Sequence, residues 1–425
     1  MEAFKKYFEE HEGEILDDLA QIIAIESIAD EQSQVKPFGE GSARALKWGE
    51  DFMKGLGMTT ENFDNYAVRG DLFDQGEPVL GILAHLDTVP VSSGWSFDPF
   101  KLTEKDGVLY GRGTIDDKGP AVAALWAAKA VKELGVPVKN FRLIFGGDEE
   151  NGCKDMEYYA KQEKFPPMVF TPDGSFPVLN CEKGMVHLTA HAPLEDPEIT
   201  ELSGGMALNA IPDKCRVTVG GVEKLYEGVS AHGSRPELGE NAVTRFLEDY
   251  SGGDKALTGL KKLFPHGECD GASCGLGFED EISGKMTCAL TVLKLEQGRL
   301  NIGIDIRFPI DRKYEQIRKI IEAALNGQGF TIDTCEGMEP HYVDENSRFV
   351  RKLLEVYHDV SGEQGSCIAE GGITYVHQIE GGVAFGAEFP WEQNNMHGDD
   401  EHITLETFRM NLNMYANAIA ELCGI

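Results

Sequence analysis

Short continuous apolar runs alternate with segments of helical apolar spacing over the first third of the chain. Helical spacing is found in the N-terminal segment, in a second segment that ends near Gly55–Gly57, and in a small-residue segment that follows Gly119-Pro120. Proline in the first turn and glycine after the last turn are typical of helix ends. The strand-like runs lie at 65–72, 79–85 and 141–147. Strands that alternate with helices predict a mostly parallel α/β sheet.

Successive strand-like segments dominate the middle of the chain. They lie at 186–193, 214–221, 225–231, 290–298 and 300–310. Helical spacing is found there at about 240–250 and 313–326, and the Gly- and acid-rich stretch 266–284 predicts a loop. Strands with so few crossover helices are typical of antiparallel pairing. This part of the chain therefore predicts an inserted α+β domain.

Helix and strand alternate again in the last part of the chain. The pattern predicts a helix at 346–360, a strand near 382–386 and a final helix at 404–422. The predicted fold class is therefore α/β, a mostly parallel-sheet domain that an α+β domain interrupts. At 425 residues the chain is too long for one ordinary core, which agrees with two domains. We place the two parts of the α/β domain and the insertion between them at 1–185, 339–425 and 186–338.

Charge and cysteine usage narrow the class of protein. Acidic residues outnumber basic ones by 72 to 39, for a net charge of −33, and this disfavours nucleic acid and anionic membrane as partners. No apolar run approaches the ~18 residues of a membrane span, and the amphipathic, acid-rich opening segment is not typical of a signal peptide. The nine cysteines form no C-x-x-C pair, which is typical of reduced thiols. These features predict a cytoplasmic protein.

Side chains with metal-binding chemistry follow several of the strand-like runs, each beside Gly or Pro. A His-x-Asp triplet at His85 and Asp87 would fit a surface turn equally well if it stood alone. Similar settings recur along the chain, and the ends of parallel strands meet at one edge of a sheet. Imidazole and carboxylate without cysteine suit Zn²⁺ or Mn²⁺ bound for hydrolysis. The candidate ligands are His85, Asp116, Glu149, Glu150, Asp173 and His397.

The order of these motifs resembles a known family. H-x-D-T-V-P at 85–90, G-R-G-x-x-D-x-K-G-P at 111–120, D-E-E at 148–150, P-D at 172–173 and a late H-G at 397–398 resemble the co-catalytic metallopeptidase family of acylase, ArgE, DapE, carboxypeptidase G and carnosinase. The similarity covers nearly the whole chain. The stretches GGMALNAIP, VSAHGSRPELGENA and GIDIRFP most resemble the PepV-like dipeptidase branch.

The resemblance implies two divalent metal ions, with Zn²⁺ favoured and Mn²⁺ as the alternative. By this resemblance, His85 and Asp173 hold one ion, Glu150 and His397 hold the other, and Asp116 bridges both. Asp87 would orient His85 through its other ring nitrogen rather than bind metal. This arrangement is the one expected of a co-catalytic two-metal site.

The resemblance also implies roles in catalysis and substrate binding. Glu149 would be the general base that takes a proton from the attacking water and passes it to the leaving amine. His232 would stabilise the oxyanion. The residues expected to bind the substrate's backbone and terminal carboxylate are Asn209, Arg307, Gly371, Gly372 and Thr374. Arg307 could instead form a structural ion pair within its strand, and Asn209 could be a turn residue.

These expectations favour a cytoplasmic dipeptidase that hydrolyses small unblocked dipeptides under an inserted lid domain. A monomer is favoured, because the long lid would cover the site within one chain; in a homodimer the role of His232 would pass to the other subunit. An aminoacylase, desuccinylase or carboxypeptidase of the same family is the alternative, and a non-catalytic metal-binding protein is a more remote one. Four acidic neighbours of the motifs are expected to be solvated or to cap helices: Asp117, Asp148, Asp399 and Asp400.

Overall fold

The chain folds into two compact units in the computed structural model, which describes residues 2–30 and 32–425. We call them the main unit and the inserted unit. The main unit comprises the residues up to 180 together with 343–368 and 374–425, and the inserted unit comprises 181–342 and 369–373. The domain limits at 185/186 and 338/339 stay a prediction, because compactness alone does not show that a segment folds by itself.

Both units contain helices and strands. The α-helices are α1 (Glu2–Ile23), α2 (Glu40–Gly55), α3 (Lys118–Glu133), α4 (Lys154–Gln162), α5 (Ala242–Asp249), α6 (Lys255–Leu263), α7 (Tyr314–Gly327), α8 (Arg348–Ser361) and α9 (Leu405–Cys423). The strands are β1 (Thr59–Phe63), β2 (Ala67–Asp71), β3 (Gly81–His85), β4 (Thr103–Lys105), β5 (Val108–Tyr110), β6 (Arg142–Gly146), β7 (Val169–Thr171), β8 (Val178–Glu182), β9 (Gly184–Pro193), β10 (Ile199–Gly204), β11 (Lys214–Val219), β12 (Val222–Glu227), β13 (Glu279–Asp280), β14 (Gly284–Lys285), β15 (Thr287–Glu296), β16 (Arg299–Phe308), β17 (Thr331–Met338), β18 (His341–Tyr342), β19 (Cys367–Glu370), β20 (Gly382–Ala384) and β21 (His402–Thr404).

The central sheet of the main unit runs in the order β1-β2-β6-β3-β7-β20-β8. The four middle strands β6, β3, β7 and β20 are mutually parallel, whereas β1, β2 and β8 pair antiparallel at the sides. Every residue of β3 and β6 is buried, as expected for strands covered on both faces. The predicted α/β class is confirmed, and its sheet is mixed with a parallel centre.

Helix α3 forms the centre of the main unit's core. Its sequence is rich in alanine, and the helix packs closely against α1 and α9. Trp126 is fully buried between these helices, and its indole nitrogen donates to Asp18 on α1. The predicted start of this helix at Gly119-Pro120 agrees with the observed first turn at Lys118. Small side chains let α3 lie close to the sheet, and this places the loop before its first residue at the edge of the sheet.

The inserted unit is an antiparallel sheet in the order β12-β11-β10-β15-β16-β9-β17, packed against α5, α6 and α7. Along β9, alternate residues from Val186 to Ala192 are buried in the core, while His187, Thr189 and His191 occupy the opposite, partly exposed face. This period of two is the pattern of a sheet with one covered face. The α+β character predicted for the insertion is confirmed.

Several element limits differ from the prediction. The strand predicted at 225–231 ends at Glu227, and β10, β17 and α6 are not among the predicted elements. Strand β17 is an edge strand whose residues are mostly exposed or half-buried, so its polar sequence carries no strong apolar signal. Helix α6 has a glycine in its interior and begins at Lys255, directly after Asp254, whose carboxylate caps the amide of Leu257. Within the described residues, no helix is long and apolar enough to cross a membrane.

Candidate active site

Three parallel strands deliver their carboxyl ends to one edge of the main-unit sheet. Strand β3 ends at His85, β6 ends at Gly146 just before Glu149 and Glu150, and β7 ends shortly before Asp173. Because β3 lies between β6 and β7 and is parallel to both, these ends are neighbours. Two further residues reach the same edge from loops: Asp116 directly before α3, and His397 in the loop after β20.

Asp116 lies between the two imidazoles. Its Oδ1 is 2.8 Å from Nε2 of His85, and its Oδ2 is 2.7 Å from Nε2 of His397. On the His85 side, Oδ2 of Asp173 is 3.7 Å from the same Nε2. On the His397 side, Oε1 of Glu150 is 3.1 Å from Nε2. One carboxylate therefore faces two imidazoles, and each imidazole faces one more carboxylate.

The donor set fits divalent cations. Potential ligand atoms of His85, Asp116 and Glu150 all lie within 4.8 Å of one another, and those of His85, Glu149 and Asp173 do so as well. Burial, followed by the charge of Asp116, raises the pKa of Asp173 to about 8. Buried carboxylates this close together disfavour one another's ionisation, and a bound cation would let them ionise together. Imidazole with carboxylate is the ligand chemistry of Zn²⁺ and Mn²⁺.

Asp87 is fully buried behind His85. Nδ1 of His85, the ring nitrogen that faces away from Asp116, is 3.2 Å from the backbone carbonyl oxygen of Asp87 and 3.4 Å from its Oδ1. The same carboxylate accepts hydrogen bonds from the backbone N–H groups of Glu149, at 3.2 Å, and Glu150, at 3.1 Å. Asp87 thus ties the imidazole of His85 to the turn that carries both glutamates.

Glu149 and Glu150 stand on a single 3-10 turn, Glu149–Asn151. The carboxylate of Glu149 groups with His85 and Asp173, whereas that of Glu150 groups with His85 and Asp116 and contacts His397. The turn therefore presents two adjacent carboxylates in different directions. Burial, and then the charge of Asp173, raises the pKa of Glu149 well above its usual range.

The inserted unit brings together most of the residues that sequence assigned to substrate binding. The backbone N–H of Gly233 donates to the carbonyl of Asn209 at 2.6 Å. Nδ1 of His232, the residue before Gly233, is 2.6 Å from Oγ of Ser234. Arg307 donates from Nη1 to the carbonyl of Gly371 at 2.8 Å. Three loops and one strand residue thus form a single cluster in this unit.

Arg307 is nearly fully buried and forms the ion pair that the sequence allowed as its alternative role. Its Nε and Nη2 donate to the two carboxylate oxygens of Asp305, at 2.8 and 2.9 Å. Gly372 follows Gly371 in the same unit, whereas Thr374 belongs to the main unit, where its hydroxyl caps the amide of Val376. The substrate roles of these residues stay a prediction.

The structure also shows residues that the sequence did not single out. Arg112 and Glu401 form a buried ion pair beneath Asp116. Asp155 accepts from the N–H groups of Gly147 and Asp148 and from the hydroxyl of Tyr375. Arg112 stands within the G-R-G motif, which was a usable signal. Glu401 and Asp155 carry no local signal, because their partners are distant in sequence or are backbone groups.

Two of the acidic neighbours are not solvated, since Asp117 and Asp148 are fully buried. Asp117 does occupy the N-cap position of α3, although its side chain caps no amide of that helix. Oδ2 of Asp117 accepts from the backbone N–H of His85 at 2.9 Å, and Oδ2 of Asp148 accepts from that of Lys154 at 3.1 Å. Asp117 therefore satisfies a donor at the end of β3, and Asp148 satisfies the first N–H of α4, which has no partner within its own helix.

Known proteins share this arrangement of sequence and fold. Residues 81–421 match the model of peptidase family M20/M25/M40. A Beta-Ala-Xaa dipeptidase of Lactobacillus delbrueckii subsp. lactis is 31% identical, over 99% of this chain and 98% of its own length. Human carnosine dipeptidase 1 shares the fold with a TM-score of 0.67 at 16% identity, covering 100% of this chain and 99% of that one. The dipeptidase Dug1p of Saccharomyces cerevisiae does so with a TM-score of 0.65 at 14% identity, over 99% and 98%. From its motifs, its fold and these similarities, the chain belongs to peptidase family M20/M25/M40 and is a peptidase.

Proposed function

We propose that the protein is a dipeptidase that hydrolyses small unblocked dipeptides with the help of two divalent metal ions. The observation that carries this proposal is the position of Asp116 between His85 and His397, with Asp173 and Glu150 on the two sides. The relatives named as dipeptidases support the substrate class. The ligand chemistry favours Zn²⁺, with Mn²⁺ as the alternative.

The five ligands divide into two sets that share one member. His85 and Asp173 would hold one ion, Glu150 and His397 the other, and Asp116 would contribute one oxygen to each. When bound, such ions polarise a carbonyl oxygen and lower the pKa of water. Asp87 keeps the ring of His85 in place through Nδ1, so that Nε2 stays directed at the site.

Glu149 is the residue that moves the proton. Its carboxylate lies beside the ligand atoms of His85 and Asp173, and burial raises its pKa. A carboxylate in this position can accept a proton from a water held at the site and, once protonated, can donate it to a leaving group. Glu149 therefore takes a proton from the attacking water and delivers it to the leaving amine.

Arg307 is suited to hold the terminal carboxylate of a dipeptide. Asp305 occupies the Nε and Nη2 edge of its guanidinium, and the carbonyl of Gly371 takes one N–H of Nη1. A guanidinium has five N–H groups, so one on each Nη is left to bond a substrate carboxylate. His232 would stabilise the oxyanion, and Asn209, Gly371, Gly372 and Thr374 would contact the substrate's backbone and carboxylate.

The cellular setting is part of the proposal. The nine cysteines are free thiols in the structure, which supports a reducing compartment, the cytoplasm. We also infer a monomer in solution, in which His232 serves the site of its own chain. If light scattering finds a stable dimer instead, the oxyanion role would be assigned to His232 of the other subunit.

The test compares wild type with Glu149→Gln on a dipeptide panel, with Zn²⁺ and with Mn²⁺. The substitution keeps the shape but removes the base, so kcat should fall by roughly 10²–10⁴-fold while the metal content stays at two ions per chain. Equal kcat values would refute the role of Glu149. Faster hydrolysis of N-acetylated than of free dipeptides would identify an acylase instead.

A further inference from the structure

Two irregular loops of the main unit are joined by one buried ion pair. Arg112 stands in the loop that leads to Asp116, and Glu401 follows the loop that carries His397. Nη1 of Arg112 donates to Oε2 of Glu401, and both side chains are essentially inaccessible, at 1% and 0% exposure. The partners are 289 positions apart in the chain, so no local structure holds them together.

Glu401 organises the loop before Asp116. Its Oε1 accepts from the backbone N–H groups of Gly113 at 2.9 Å, Ile115 at 3.1 Å and Asp116 at 3.4 Å. In addition, the N–H of Gly111 donates to the backbone carbonyl of Glu401 at 3.1 Å. One carboxylate therefore fixes the path of the chain as far as the amide of Asp116.

Arg112 reaches the opposite loop. Its Nη2 donates to the carbonyl of Gly398 at 3.0 Å and, more weakly, to that of His397 at 3.4 Å. The guanidinium carbon of Arg112 lies 5.2 Å from the centre of the Trp95 ring, a cation–π contact that favours the charged form further. The arginine is thus bonded to the carboxylate of one loop end and to the backbone beside His397.

The loop that carries His397 has an irregular backbone. Asn395, His397 and Asp400 all have positive φ, at 53°, 61° and 54°. These residue types tolerate the left-handed conformation better than most others, but a segment of this kind has no regular hydrogen-bond ladder of its own. The carbonyl bonds from Arg112 fall in the middle of this segment.

We propose that the Arg112–Glu401 pair is a positioning device that keeps the loops of Asp116 and His397 side by side, so that both side chains can contribute to the same metal site. The inference rests on the two-metal function proposed above. Neither side chain enters the donor set, so both are positioning residues rather than ligands. Glu401 acts on Asp116, which faces both imidazoles, whereas Arg112 acts on the His397 side.

Substitutions of Arg112 and of Glu401 should therefore impair metal binding in different ways. Arg112→Lys keeps the charge for Glu401 but loses the second nitrogen that bonds the carbonyls beside His397, so one of the two ions should bind about 10–100-fold more weakly. Glu401→Gln disturbs the amide contacts at Asp116, so both ions should bind more weakly. Metal content after dialysis against graded chelator, and calorimetric titration of the apoprotein with Zn²⁺ or Mn²⁺, measure this without relying on turnover.

A matched control is available in the same unit. Asp71 and Arg142 form another buried ion pair, here bidentate at 2.6 and 2.9 Å, at the end of β6 opposite the Glu149–Glu150 turn. Asp71→Asn should lower the melting temperature but leave both ions bound with wild-type affinity. At a temperature where both variants are fully folded, Arg112→Lys should need a higher metal concentration than Asp71→Asn to reach full activity.

The outcomes separate the two proposals. Suppose that wild type binds two ions, and that the Arg112 and Glu401 variants bind both ions with wild-type affinity but have a melting temperature as low as that of Asp71→Asn. The pair is then merely structural, and the inference is wrong. If wild type itself takes up fewer than two ions, the two-metal function fails and the inference fails with it. Should Glu401→Gln not fold, Arg112→Lys alone still decides between these results.

Discussion

At the scale of single residues, carboxylates that are close in sequence make different contacts in this protein. Asp116 faces two imidazoles, whereas Asp117, the next residue, accepts a backbone N–H of β3. Asp87 follows His85 by two positions yet lies on the far side of its ring. Residue type alone does not distinguish these roles, because each depends on which neighbour the side chain meets.

Asp87→Asn should weaken metal binding without unfolding the protein. The amide can accept one of the two backbone bonds from the Glu149–Glu150 turn, but it cannot serve both while also facing Nδ1 of His85. We expect affinity for metal to fall by roughly 10–100-fold, with circular dichroism unchanged. Wild-type affinity measured by calorimetric titration would contradict this role.

Arg307→Lys should raise KM for dipeptides more than it lowers kcat. A lysine ammonium cannot bond Asp305 and grip a carboxylate at the same time, so ~1.5–3 kcal/mol of binding should be lost, about 10–100-fold. Dipeptide amides, which have no terminal carboxylate, provide the control and should show no such change. Equal losses for acids and amides would assign Arg307 a structural role.

At the scale of elements, the turn after β6 is shaped by close packing. A Cβ on Gly146 would overlap the carboxylate of Asp155 and the hydroxyl of Tyr375. Asp155 in turn accepts from the amides of Gly147 and Asp148, so it directs the chain toward Glu149. Burial raises the pKa of Asp155 to about 7. The strand, the turn and this carboxyl form one packed unit behind the site.

Gly146→Ala should therefore destabilise the protein and weaken its metal site. Forcing a methyl group into this contact should cost about 1–3 kcal/mol and displace the glutamate turn. Gly13→Ala is the control, because nothing lies within 4 Å of its added methyl on helix α1, and alanine there should stabilise by ~0.5–1 kcal/mol. Thermal melts of both variants, with and without metal, test the contrast.

At the scale of the whole molecule, charge links stability to metal binding. The site groups four carboxylates with two histidines, and hydrogen bonds to Asp116 and Glu150 raise the pKa of His397 to about 11. Burial likewise raises the pKa of Asp173 to about 8. Without metal, the folded protein therefore holds protons that the unfolded chain would release.

Metal removal should lower the melting temperature, and more strongly at high pH. Asp173 favours the folded apoprotein less as pH rises from about 4 to about 8, and the contribution of His397, complete below about 6.5, is lost as pH rises toward about 11. Both slopes have the same sign. Melts of the chelated and the metal-loaded protein between pH 5 and 9 should diverge with rising pH; parallel curves would refute this coupling.

Local pattern and motif order predict the regular elements that lead to the site. Helix α3 followed from proline in its first turn and apolar small residues, and the strand ends of β3 and β6 from continuous apolar runs. The Arg112–Glu401 pair did not follow, because its members are 289 positions apart and each resembles an ordinary surface charge. Edge strand β17 was missed because partial exposure permits a polar sequence.

The sequence by itself determined the family, the α/β class with its insertion, and a set of candidate ligands, since these depend on short-range periodicity and on motif order. Tertiary structure decided which oxygen of Asp116 faces which imidazole, and that Asp117 and Asp148 are buried. It also decided that a buried ion pair joins the loops of Asp116 and His397. These are questions of distance between segments remote in sequence, and only the packed chain sets such distances.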